Sequence, residues 1–315
     1  MEIDELRSSE QSSGAHLSVL ARALIIVGSL LCAAIFFGAL FAAFLAYADN
    51  QESSSPVQTP PAIESDQFRC DPDVIGEQDG PVVAVYEVND SALGSLCFGR
   101  ANPAVIGAWE ALEVVAPSPF LEPVVSLAGY DFDGPVDTMA FAGPIDFRGL
   151  DFTVALEVDA AVADPEELRL TMMHELAHVF SQDSSQFFAD VARDDCETFH
   201  NGFGCFAEES YVNLWVTRFW DQAAIDALPD DGSPDQDAGD ERCLNDSAFP
   251  GSYGASHPEE DFAESFAAFV YGVEMLPDVQ PRLDFFAEFP ELAEFRSNAR
   301  KAGLSNLPNN YDDCG

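Results

Sequence analysis

The sequence predicts an α+β fold: a small mixed sheet packed on one long helix, a mainly helical C-terminal half, and an N-terminal transmembrane helix ahead of the domain. Three observations carry that prediction. Residues 23 to 48 hold no charge. Two runs with strand character, 81–88 and 152–158, lie in the N-terminal half, and a capped amphipathic pattern begins at Asp164. From residue 206 onward, apolar positions recur mostly at helical spacing.

The uncharged run "ALIIVGSLLCAAIFFGALFAAFLAYA" is long enough, at about 1.5 Å per residue, to cover roughly 39 Å and cross a hydrocarbon core of about 30 Å. Arg7 and Arg22 precede it and the next basic residue is Arg69, so the positive-inside bias places residues 1–22 in the cytoplasm as a tail and 23–48 as a single-pass anchor in the cell membrane. Residues 49–67, rich in Ser and Pro, read as a linker, and 68–315 as one extracellular domain. The alternative is a signal peptide cleaved near Ala48, after the small-x-small series Ala46-Tyr47-Ala48, which leaves a secreted protein. Six cysteines lie beyond the anchor, and an even number in an exported domain implies disulfides. Chain order makes Cys70–Cys97, Cys196–Cys205 and Cys243–Cys314 the simplest pairing; a nucleophilic Cys205 beside His200 is the competing reading.

Within the domain, "PVVAVYEV" at 81–88 is a strand followed by the turn-like "NDSALG". Residues 103–147 alternate short apolar runs with Pro, Gly and Asp and read as irregular. "FTVALEV" at 152–158 is the clearest strand, expected to line a cleft. The next helix starts with Asp164 as cap, Pro165 in the first turn and Glu167 as a capping-box acid, and carries Leu168, Met172, Leu176 and Val179 toward a core. A second helix is expected over 206–227. The aspartate-rich stretch 228–243 reads as a solvated loop, with calcium binding as the sharper alternative. A third helix is expected from near Pro258, and more helix, broken at Pro290, beyond it.

Composition narrows the function classes. The chain has 13 basic residues, Lys301 the single lysine, against 56 acids, for a net charge of −43. Nucleic-acid binding is not expected, because phosphate contacts need clustered Lys and Arg. The acids are spread through the chain, as on a generally acidic surface; a field drawing cations toward a cleft is the other reading. With 47% hydrophobic residues and 26 phenylalanines, the chain has ample material for a core.

The chemistry-bearing stretch is "HELAH", residues 174–178. Histidines four apart on a helix lie about 6 Å apart along the axis on one face, so both imidazoles reach one ion. A glutamate directly after the first can act as general base on a water held by that ion. This assigns His174 and His178 as zinc ligands and Glu175 as base. A catalytic zinc needs a third protein ligand, and no histidine follows closely enough to supply it. In "SYGASHPEEDFAESFAAF", residues 252–269, Glu260 and Glu264 stand four apart on one helical face while Phe262, Phe266 and Phe269 can pack inward. Glu260, Glu264 and His257 are the open candidates; a solvated acidic face is the bland reading of the two glutamates.

Tyr-Gly, a short gap, then Glu-x-Phe-Ala-Glu-x-Phe resembles the second zinc-binding helix of the anthrax lethal factor type of metallopeptidase, in the gluzincin group. The resemblance covers about thirty residues, and the 82 positions between His178 and Glu260 depart from that family's spacing. It implies a zincin-like metallopeptidase domain with Zn2+ held by His174, His178 and Glu260. Glu264 would orient a ligand histidine or replace Glu260 as ligand, and Tyr253 would donate its hydroxyl to an oxyanion. The expected partner is a peptide or protein substrate, with membrane contact through the N-terminal helix. A non-catalytic surface protein on the same scaffold is the alternative, and a hydrolase acting on something other than peptides a third reading.

Overall fold

The structure, a computed structural model, describes residues 68–75, 80–132, 139–145, 151–309 and 311, all within one compact unit. The expected anchor at 23–48, its tail and linker, and Cys314 lie outside them. Among the described residues no helix is long and apolar enough to cross a membrane.

The fold is a mixed α+β arrangement built on a five-stranded sheet: β1 Val82–Asn89, β2 Ala92–Gly99, β3 Val124–Tyr130, β4 Ala140–Pro144 and β5 Phe152–Glu157, in the order β2-β1-β3-β5-β4. β3 and β5 are parallel, and the other pairs antiparallel. The stretch "NDSALG" turns only at Asp90 and Ser91, whose φ of 50° and 63° give the left-handed pair that a tight hairpin needs; Ala92 already belongs to β2. Every residue of β3 and of β5 is buried. A central strand covered on both faces reads as a continuous apolar run without alternation, which is how β3 escaped notice inside the proline-rich 103–147. That stretch also contains two helices.

In chain order the helices are α1 Pro72–Ile75, α2 Pro103–Glu113, α3 Ser118–Leu121, α4 Val158–Ala163, α5 Pro165–Ser181, α6 Tyr211–Phe219, α7 Gln222–Asp226, α8 Gln236–Asn245, α9 Pro258–Tyr271, α10 Gln280–Phe286 and α11 Pro290–Ala302. A short antiparallel pair, β6 Phe187–Ala189 with β7 Gly204–Phe206, follows α5. The helix expected over 206–227 is two shorter ones. Phe206 pairs with Phe187, Ser210 caps α6, Trp220 turns extended, and Asp221 caps α7. The loop expected over 228–243 is helical in its second part, because Asp235 caps α8 by accepting from the Ala238 amide.

The core lies between the sheet and α5 and around α9. All fourteen residues of α9 are buried, and Gly272 ends the helix in the left-handed region at φ 64°. Phe180 of α5 meets Phe120, Phe262, Phe266 and Phe295 with ring centroids 5.2–6.2 Å apart, mostly edge-on. This aromatic block presses α5 against α9 and so fixes the two helices that carry the motif residues. Disulfides Cys70–Cys97 and Cys196–Cys205 are formed as the chain order implied. Cys205 is therefore no nucleophile, and His200 is held by the Val191 carbonyl and the Gly202 amide. Cys243 is disulfide-bonded as well.

Candidate metal centre

Helix α5 starts as its sequence dictates: Asp164 Oδ1 accepts from the amides of Glu166 and Glu167 at 3.1 and 3.0 Å, and Pro165 takes the first position. The reciprocal half of the expected capping box is replaced, since the Asp164 amide already donates to the Ala160 carbonyl at the end of α4. Leu168, Met172, Leu176 and Val179 are buried, which turns His174 and His178 toward α9. There Pro258 opens the helix behind a His257 cap, with Glu260 in the first turn and Glu264 one turn further on.

The two histidines and Glu260 converge. His174 Nε2 and His178 Nε2 lie 3.0 Å apart, and Glu260 Oε2 lies 3.0 Å from the first and 3.3 Å from the second. All three ligand atoms fall within 4.8 Å of one another. Two ligands at about 2.05 Å from a tetrahedral zinc stand about 3.3 Å apart, so this nitrogen and oxygen set has the right chemistry and nearly the right spread. Electrostatics agree. Burial alone would lower His178, but the charge and hydrogen bond of Glu260, with Glu175 and Glu259 behind, raise it to about 9. Burial alone would raise Glu260, but the histidines hold it well below the ordinary carboxylate range. The pocket stabilises positive charge at one point, where a cation relieves the facing of two imidazole nitrogens.

Around that point the other motif residues are placed as follows. Glu175 is buried, feels the charges of both histidines and Glu260, and accepts from the Ala142 amide on β4; burial raises its carboxyl above the usual range while both histidines act to lower it. Tyr253 has its ring 6.0 Å from that of His174 and its hydroxyl bonded to Glu260. The ring stays 40% exposed, yet the hydroxyl end is desolvated and faces Glu260, Glu175 and Glu264, so its pKa is pushed well up. Glu264 is buried and accepts from the Gly254 amide at 2.9 Å, which ties the Tyr253 loop to α9. A Cβ on Gly254 would meet Glu264 Oε2 at 2.4 Å, so a larger residue there would displace the carboxylate that holds the loop. Glu260 and Glu264 are not a solvated face: they are 9% and 6% exposed. His257 caps α9 by accepting from the Glu259 amide, and the cluster that can hold a metal does not include it.

No protein-family model and no curated protein matches the chain. Among solved structures, one from Bacteroides caccae, a "putative zinc-binding metallo-peptidase", aligns over 65% of this chain and 69% of its own at 16% identity, with a TM-score of 0.28. A likeness that weak carries no argument, and neither does it reach the lethal factor type; the geometry has to carry the reading.

Two parts of the site had no signal in the sequence. The strand beside the motif helix is β4, since β5 has a neighbour on each side and cannot line a cleft. Asp261, next to Glu260, is fully buried and accepts from Trp215 Nε1, Trp220 Nε1 and Arg282 Nε at 3.0, 2.9 and 2.9 Å. That brace links α9 to α6 and α10. Glu259 on the same turn takes Gln182 and Asn201 amides at 2.8 and 2.9 Å. An acid in an acidic chain looks like surface; only its partners, distant in sequence, reveal the role.

Proposed function

We propose that the protein is a zinc-dependent peptidase, anchored in the cell membrane by residues 23–48 with its catalytic domain outside. The observation that supports this most is the convergence of His174, His178 and Glu260 within 4.8 Å, with the buried Glu175 electrostatically coupled to all three. Zinc, when bound by those three side chains, supplies Lewis-acid polarisation of the scissile carbonyl and lowers the pKa of water toward about 7. Glu175 takes the proton of the attacking water and passes it to the leaving amine; burial above the usual carboxylate range suits it to both transfers. Tyr253, whose hydroxyl is held protonated all the more firmly by its raised pKa, donates it to the developing oxyanion. Glu264 keeps that tyrosine in reach through Gly254. An extended peptide adds to β4, the sheet edge on the motif side, through backbone hydrogen bonds.

Zinc content and cleavage of a peptide library by the full-length protein test the reading. Glu175→Gln is expected to retain stoichiometric zinc and lose hydrolysis. Cleavage by that variant at the wild-type rate removes the mechanism, and zinc without any cleavage by the wild type leaves a non-catalytic zinc-binding scaffold.

A further inference from the structure

The far end of α9 carries a second charged pocket. Phe269 stands nine residues beyond Glu260, about 14 Å along the helix axis. There α11 lays Arg296, Ser297, Arg300 and Lys301 around a surface cavity of about 410 Å³ floored by Phe269. Three of the 13 basic residues in a chain with 56 acids are thus gathered in one place. Arg218 pairs with Glu288 and Arg282 with Asp261, whereas among the described residues none of the three cations takes part in an ion pair. Asp284 acts on Arg296 only through space, and Lys301 Nζ donates to Asn298 Oδ1 at 3.2 Å.

Cations in a last helical turn often serve only to offset the helix dipole. That accounts for Arg300 and Lys301, which occupy the last turn of α11. It does not account for Arg296 a turn earlier. Its guanidinium lies 4.8 Å over the Phe269 ring, and its Nε is buried with no hydrogen-bond partner among the described residues. A buried guanidinium donor left without an acceptor is costly, and both burial and Arg300 act against its charge. Among the described residues, no carboxylate lines the pocket to offset its three cations.

We propose that this pocket is a binding site for a phosphate-type oxyanion, as free phosphate or as a small monoester. Two guanidinium forks and an ammonium match the charge of close to −2 that such an anion carries near neutral pH, and guanidinium geometry fits its oxygens in pairs. Ser297 adds a hydroxyl donor, and the Phe269 ring closes the floor. The site stands apart from the candidate metal centre and does not depend on the peptidase reading.

Isothermal titration of the full-length protein with inorganic phosphate, and separately with glycerol 3-phosphate, tests the proposal. The variants are Arg296→Gln, the surface pair Arg300→Gln/Lys301→Gln, and Glu260→Ala to remove any phosphate uptake at the metal centre; circular dichroism confirms that each is folded. Saturable one-to-one binding is expected in the wild type and in Glu260→Ala, weakened about tenfold or more in the pocket variants. Tighter binding of the ester assigns the site to a monoester, and equal binding to free phosphate. Absence of saturable binding in the wild type overturns the proposal. So does unchanged binding in the surface pair, whose exposed side chains remove the excuse of misfolding, or loss of binding in Glu260→Ala alone.

Discussion

Tyr253 combines a half-open ring with a hydroxyl enclosed by three carboxylates, a placement that serves a hydrogen-bond donor better than a packing residue. Tyr253→Phe removes that donor and nothing else of size. The expected outcome is a drop in kcat of about 10²–10³-fold, with KM and zinc content nearly unchanged, read from steady-state kinetics and metal analysis. Asp261 belongs to a different class. Asp261→Ala leaves Arg282 buried and unpaired and strips the acceptor from two indoles, so denaturant unfolding should show a loss of about 3–5 kcal/mol. The contrast shows what a sequence discloses at this scale. His174, Glu175 and His178 were legible because one helical turn fixes their relation, and Glu260 because it recurs with Glu264 and phenylalanines at helical spacing. Asp261 was not, because Trp215 and Trp220 reach it from α6 and its C-terminal cap and Arg282 from α10, both distant in the chain.

At the scale of elements, local chemistry was decisive where it was complete. Asp164, Pro165 and the apolar stripe specified α5, and Asp164→Ala is expected to cost about 1 kcal/mol in thermal or denaturant unfolding, since two amides lose their acceptor. Where local signals conflicted, the reading failed for identifiable reasons. Over 206–227 helical periodicity ran through Ser210 and Asp221, both of which cap, and the indole of Trp220 is drawn to Asp261 instead of continuing α6. β3 lacked alternation because both its faces are covered. β4 is short and lies between stretches rich in Gly and Asp, so nothing in its composition announced the edge strand whose Ala142 amide holds Glu175.

Taken as a whole molecule, the domain joins two helices far apart in the chain through one cluster of ligand atoms. A cation bound by the native state and not by the unfolded chain stabilises by mass action. Chelation should therefore lower the Tm of the wild type by several degrees and leave that of Glu260→Ala unmoved, as read by scanning calorimetry. The net charge of −43 acts in the same arena. Raising sodium chloride from about 0.1 to 1 M shortens the screening length from about 10 to 3 Å, which relieves self-repulsion, so Tm is expected to rise with salt. A flat or falling Tm would mean that the acids are locally compensated.

The Cys70–Cys97 bond joins the segment ahead of β1 to β2, and β2 and β4 are opposite margins of the sheet. A displacement at Cys70 thus meets a covalent clamp and is shared among hydrogen-bonded strands before it nears the margin that borders the histidines.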